Sequence, residues 1–235
     1  MIAVVFGSSG GIGRALAEGV IASGKYGSVF AVSRSGAEID GAINRRAEFT
    51  DEVQLGALAA EIGAAGPVTL CLVASGLLSA DGLQPEKTYR ALSAEAFARV
   101  FAANTVAPAL IAKHFLPLMP KTERSVFAAL SARVGSISDN RLGGWHAYRA
   151  SKAALNMLIR NFAIEQARRA PGHICVGLHP GTVDTGLSKA FQGGVAEDRL
   201  FTPAQAAGYL LGVVDRLTPE DSGKCLDWAG KEIPA

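Results

Sequence analysis

The run Val68-Thr69-Leu70-Cys71-Leu72-Val73-Ala74 is apolar apart from one threonine. Such a run marks a strand buried on both faces of a parallel sheet, because helices cover that kind of sheet on either side. Further apolar runs at Ile2–Phe6, 28–32, Ser125–Leu130 and His173–His179, and the short run Arg46-Ala47-Glu48-Phe49, supply further strands, and 224–228 adds one at the edge. Helical patterns separate them, at 14–23, Glu52–Ala65, 94–115, 143–169 and 202–217. Asp51 stands where it can cap the second of these. The alternation specifies an α/β fold: a doubly wound parallel sheet of the Rossmann type with right-handed crossovers. A chain of 235 residues suits a single domain over 1–235. Within it, 86–90 reads as a polar connection, and 186–201, weakly periodic and holding Gly193-Gly194, as a candidate substrate lid.

Hydrophobic residues make up 49% and charged residues 19%, the balance of a globule with an extensive core. With 23 Lys+Arg against 21 Asp+Glu, the surplus is too small to imply nucleic acid or an anionic membrane. The expected partner is a small molecule. Cys71, Cys175 and Cys225 lie in strand-like stretches without metal-ligand spacing, and read as core thiols of a cytoplasmic protein with no disulfide and no metal. The apolar run at the start is too short for a leader or a membrane span.

Between the first strand and first helix stands Gly7-Ser8-Ser9-Gly10-Gly11-Ile12-Gly13. A helix start presents free backbone N–H groups and a positive dipole end, and a turn without β-carbons lets a pyrophosphate approach them. Two glycine spacings are open, Gly7/Gly11/Gly13 and Gly7/Gly10/Gly13. The second strand ends in Ser33-Arg34, beside the adenosine ribose in dinucleotide folds, and carries no acid there. A guanidinium suits a 2′-phosphate that a carboxylate would repel, so NADP(H) is expected over NAD(H), with Arg14 as a second candidate cation. Tyr148 and Lys152, four residues apart, share one helix face. An adjacent ammonium favours the phenolate and should lower a phenol pKa of about 10.

The glycine turn, Tyr148-Arg149-Ala150-Ser151-Lys152 and Pro180-Gly181-Thr182-Val183, in this order and separation, resemble the short-chain dehydrogenase/reductase family over nearly the whole chain. The short chain favours the Gly7/Gly11/Gly13 spacing of its single-domain members. Ser131 to Ile137, Gly143-Gly144 and the ending from Asp227 are similar to its C-factor-like carbonyl reductase branch. The resemblance implies that Tyr148 exchanges a proton with the substrate oxygen and that Lys152 also binds the nicotinamide ribose. It places Asn104 in a locally distorted helix that serves the proton relay, with Pro108 unable to donate to its carbonyl.

Family members carry two serines at the end of the fifth strand, the second one catalytic, where this chain has Ser131-Ala132. Ser131 is the first choice and Ser136 the substitute. The cofactor contacts implied are Gly7, Ser9, Gly11, Ile12 and Gly13 at the turn, Ser33 and Arg34, Asp51 at the adenine, Gly76, Asn104, Tyr148, Lys152, and Pro180, Gly181, Val183 and Thr185 at the nicotinamide. Ala74-Ser75-Gly76 replaces the family's Asn-Asn-Ala-Gly and keeps only its glycine. His146 and Trp145 read as pocket wall or packing. The resemblance also implies a homodimer or homotetramer. The leading expectation is an oxidoreductase moving hydride between NADP(H) and a small carbonyl or alcohol; the alternative is a non-catalytic NADP(H)-binding sensor or scaffold.

Overall fold

The computed structural model of the chain describes residues 1–193, 196 and 199–235. Its strands are β1 (Ile2–Phe6), β2 (Ser28–Ser33), β3 (Ile43–Arg46), β4 (Val68–Val73), β5 (Ser125–Leu130), β6 (His173–His179), β7 (Thr182–Val183), β8 (Leu200–Phe201) and β9 (Cys225–Asp227). Seven of them form one parallel sheet in the order β3-β2-β1-β4-β5-β6-β9, while β7 and β8 pair separately. The chain reverses its direction of travel between β1 and β4. In open sheets the ligand crevice lies there, beyond the carboxyl ends of the strands.

The helices are α1 (Gly11–Ala22), α2 (Glu52–Ala65), α3 (Ala94–Phe101), α4 (Ala107–Phe115), α5 (His146–Ala167) and α6 (Pro203–Arg216). Two cores result, one on each face of the sheet. On one face α2, α4 and α5 cover Phe6, Val73, Phe127 and Ala129; on the other α1 and α6 cover Val5, Leu72, Ala128 and Leu178. Every residue of β4 is buried, as its uninterrupted apolar run requires. Helix starts are capped as the sequence suggests: Asp51 accepts from the N–H groups of Val53 and Gln54, and Thr202 forms a reciprocal capping box with Gln205. Among the described residues no helix is long and apolar enough to cross a membrane.

One expectation needs correction. The third strand lies at Ile43–Arg46, three residues before the short run Arg46-Ala47-Glu48-Phe49. β3 pairs only with β2 at the sheet edge, so it needs no buried face; Ala47 and Phe49 are buried after the strand has ended, Phe49 edge-on to Phe6 with centroids 5.5 Å apart. The distortion expected at Asn104 within the helical region 94–115 is a π-helical turn at Ala102–Val106 that joins α3 to α4. Pro108 has no N–H for the carbonyl of Asn104, and the wider turn absorbs that missing bond. Residues 194–195 and 197–198 of the candidate lid lie outside the described residues.

Candidate active site

The glycine turn is built by contacts that exclude side chains. Gly7 has φ +83°, and a Cβ on it would stand 2.8 Å from the backbone carbon of Ala74. A Cβ on Gly13 would lie 2.1 Å from the carbonyl oxygen of Gly7, and one on Gly11 3.0 Å from Thr185 Cγ2. At Gly10 the nearest atom is 3.5 Å away, ordinary contact. The positions that need glycine are thus Gly7 and Gly13, and more weakly Gly11.

Two adjoining cavities, about 430 and 490 Å³, open on this turn and share Ser9, Gly10, Ala74, Ser75 and Gly76 along their walls. The first continues to Gly11, Ile12, Gly13, Ser131, Tyr148, Lys152, Pro180, Thr185 and Leu187. The second reaches Gly7, Arg34, Thr50 and Arg99. Arg34 and Tyr148 therefore occupy opposite ends of one composite cleft. The hydroxyls of Ser8 and Ser75 are buried without a hydrogen-bond partner among the described residues, and Ser75 lines both cavities.

Other candidates stand outside these walls. Ser33 is buried and accepts from Ala37 N–H at 3.0 Å. Asp51 spends its carboxylate on the α2 cap and on Gln54. Val183 packs with Ile12, Phe201 and Ala206. Gly181, at φ +78°, makes room for Phe201 and Trp228. Arg14 donates to the carbonyl of Glu38 and faces Glu18. Ser136 is buried and accepts from Asp139 N–H at 3.1 Å, so its hydroxyl caps its own turn.

Asn104 is fully buried in the π-turn. Its amide exchanges hydrogen bonds with both backbone groups of Leu77, at 2.7 and 2.8 Å, and donates to Ser151 Oγ at 3.0 Å. The wide turn thereby ties the strand end after β4 to α5.

Tyr148 and Lys152 follow on α5. Lys152, 2% exposed, donates to the carbonyl of Leu130 at 2.7 Å and lies 5.9 Å from the Tyr148 ring centroid. Burial holds its ammonium down to about 8. The expected lowering of the phenol is not found: burial pushes Tyr148 up to about 12, because removing water penalises the phenolate.

The start of α5 is fastened from outside. Gly143, Gly144 and Trp145 are successive left-handed residues at φ +62°, +65° and +51°, and Trp145 is the one non-glycine residue with positive φ among those described. Arg149 Nε donates to both glycine carbonyls at 3.1 Å. Glu86, in the supposed polar connection, is only 5% exposed. Its carbonyl accepts from Trp145 N–H at 2.5 Å and its carboxylate from Ala147 N–H at 3.2 Å. Glu86 and Asn156, considered below, escaped sequence reasoning; for Asn156 the signal was its spacing of four from Lys152.

At the end of β6, His179 has a buried Nδ1 without a partner, and burial pushes its imidazole down to about 4 with help from Arg133. Between pH 6.5 and 4 the unfolded chain takes up this proton and the folded chain does not, so stability must fall as pH falls through that window. The loss should approach about 3 kcal/mol. Urea titrations at pH 7 and pH 4.5 will show it, and His179→Asn should remove much of the difference; an unchanged difference would assign acid sensitivity to other groups.

A sequence model of the family described as short chain dehydrogenase matches residues 1–194. The chain is 36% identical over 137 residues to C-signal of Myxococcus xanthus, covering 58% of this chain and 77% of that protein. It is 40% identical over 121 residues to 1-hydroxy-2-glutathionyl-2-methyl-3-butene dehydrogenase of a Rhodococcus species, covering 52% of this chain and 50% of that enzyme. The structure of an NADPH-bound carbonyl reductase from chicken fatty liver superposes with a TM-score of 0.85 at 27% identity, covering 100% of this chain and 98% of the other.

Proposed function

The chain belongs to the short-chain dehydrogenase/reductase family, and from that premise we propose that it is an NADP(H)-dependent reductase converting a small carbonyl compound to its alcohol. The observation that carries this reading is the composite cleft, with a cation, Arg34, at one end and the partly buried Tyr148 beside the buried Lys152 at the other. A dinucleotide fits the residues present: the cradle at Gly7 and Gly13 excludes side chains, and the unpartnered Ser75 hydroxyl offers a hydrogen bond. The NADPH bound in the chicken reductase supports the same assignment.

When bound, the nicotinamide supplies the hydride for the carbonyl carbon. The turn N–H groups would hold the pyrophosphate, Lys152 the nicotinamide ribose and Arg34 the 2′-phosphate. Tyr148 gives its hydroxyl proton to the carbonyl oxygen. A phenol held near 12 keeps that proton throughout the neutral range, the form that reduction needs. The oxidative direction must first ionise it. Lys152, held near 8, is mostly charged at pH 7 and favours the phenolate left behind. Ser131 holds the carbonyl oxygen.

NADPH oxidation measured across a panel of aldehydes and ketones tests the reading. A sensor or scaffold is favoured by Ala132 standing where the family has its second serine, and tight NADPH binding without turnover of any carbonyl would establish it. Arg34→Asp should weaken NADPH relative to NADH by about 10- to 100-fold, the worth of charge-assisted bonds to a phosphate. The ratio of kcat/KM values for the two cofactors reads this, and an unchanged ratio would place the phosphate elsewhere.

A further inference from the structure

The structure assigns Asn156 as a positioning residue that sets the direction of the Ser131 hydroxyl. The inference rests on the reductase reading, with Ser131 as the serine that meets the substrate oxygen. Ser131 follows the end of β5, where Phe127 and Ala129 face the core under α5; by strand alternation residue 131 turns to the same side. Along α5, Tyr148, Lys152 and Asn156 recur every fourth residue and so form one stripe. Ser131, 4% exposed, donates from Oγ to Asn156 Oδ1 at 2.6 Å.

Gly177 of β6 lies beside the amide: a Cβ there would stand 3.3 Å from Cys225 Sγ, a tight approach, and 3.4 Å from Asn156 Oδ1, an ordinary contact. The backbone of Ser131 is anchored as well, its N–H donating to Leu178 O at 2.8 Å. A serine side chain otherwise chooses among three staggered rotamers, and here the bond to Asn156 selects one. An amide also offers two faces. With its oxygen forward it takes the serine proton; turned over, it donates to the serine oxygen and leaves the serine proton free for a carbonyl. The Lys152 ammonium makes a bond of its own, to Leu130 O.

The test is a double-mutant cycle in the full chain. Asn156→Leu keeps the branched shape and removes the hydrogen bond; it should lower kcat for a reducible carbonyl by roughly 10- to 100-fold, with NADPH affinity by fluorescence titration unchanged. In a Ser131→Ala background the same replacement should change kcat by less than about twofold. Asn156→Ala, measured in parallel, supplies the cycle if the leucine variant does not fold. Multiplying losses in the double variant would assign Asn156 to general packing and overturn the proposal, as would full kcat in either single variant. A Tyr148→Phe control separates the two readings. Turnover that survives it discards the reductase mechanism; a dead control beside an active Asn156→Leu discards only the positioning role.

Discussion

Tyr148→Phe is expected to lower kcat for carbonyl reduction by about 10²- to 10⁴-fold, the usual worth of a placed proton donor, with NADPH affinity preserved. The substitution deletes one hydroxyl and keeps the ring, which packs edge-on against Trp145 at 6.3 Å between centroids. No neighbour is placed to substitute. The Lys152 ammonium is directed at the Leu130 carbonyl, and Ser131 donates to Asn156. Steady-state NADPH oxidation measures the loss, and quenching of protein fluorescence by NADPH measures binding. Turnover comparable to the parent chain would remove Tyr148 from the mechanism.

Gly13→Ala should destabilise the fold by about 3 kcal/mol or more, the upper range of overpacking, and abolish measurable NADPH binding. The added carbon would sit 2.1 Å from the Gly7 carbonyl oxygen, and both partners are backbone, so no rotamer change relieves the clash. Either the turn or the first turn of α1 must move. For a chain of this size the melting temperature should fall by about 6–12 °C. Gly10→Ala is the control, because its nearest atom is 3.5 Å away. Thermal melts with and without NADPH distinguish the two variants, and a Gly13→Ala protein that melts and binds like its parent would show that the close approach is not needed.

What could be read from the sequence was whatever depends on near neighbours. The apolar run at β4, the Asp51 cap and the Pro108 irregularity are local patterns, and each has its counterpart in the fold. The third strand was misplaced because Ala47 and Phe49 are buried by residues distant in sequence, such as Phe6. The chemistry of Tyr148 was misjudged for a related reason. Spacing on a helix reveals a neighbouring ammonium, but the desolvation that dominates comes from the whole surrounding shell. Glu86 was unreadable likewise: a charged residue in a polar stretch announces solvent, and only the fold turns it to the start of α5.

The left-handed triplet at Gly143-Gly144-Trp145 bears on how such a scaffold can diversify. Surface connections ordinarily tolerate insertions. This one is pinned at both ends of its geometry, by Arg149 on its carbonyls and by Glu86 on the N–H groups of Trp145 and Ala147. A residue added there would rotate the first turn of α5 by about 100° and carry the phenol away from the cleft. Variation of the pocket on this plan is left to other parts of its rim, where Gly186 and Leu187 line the same cavity as Tyr148.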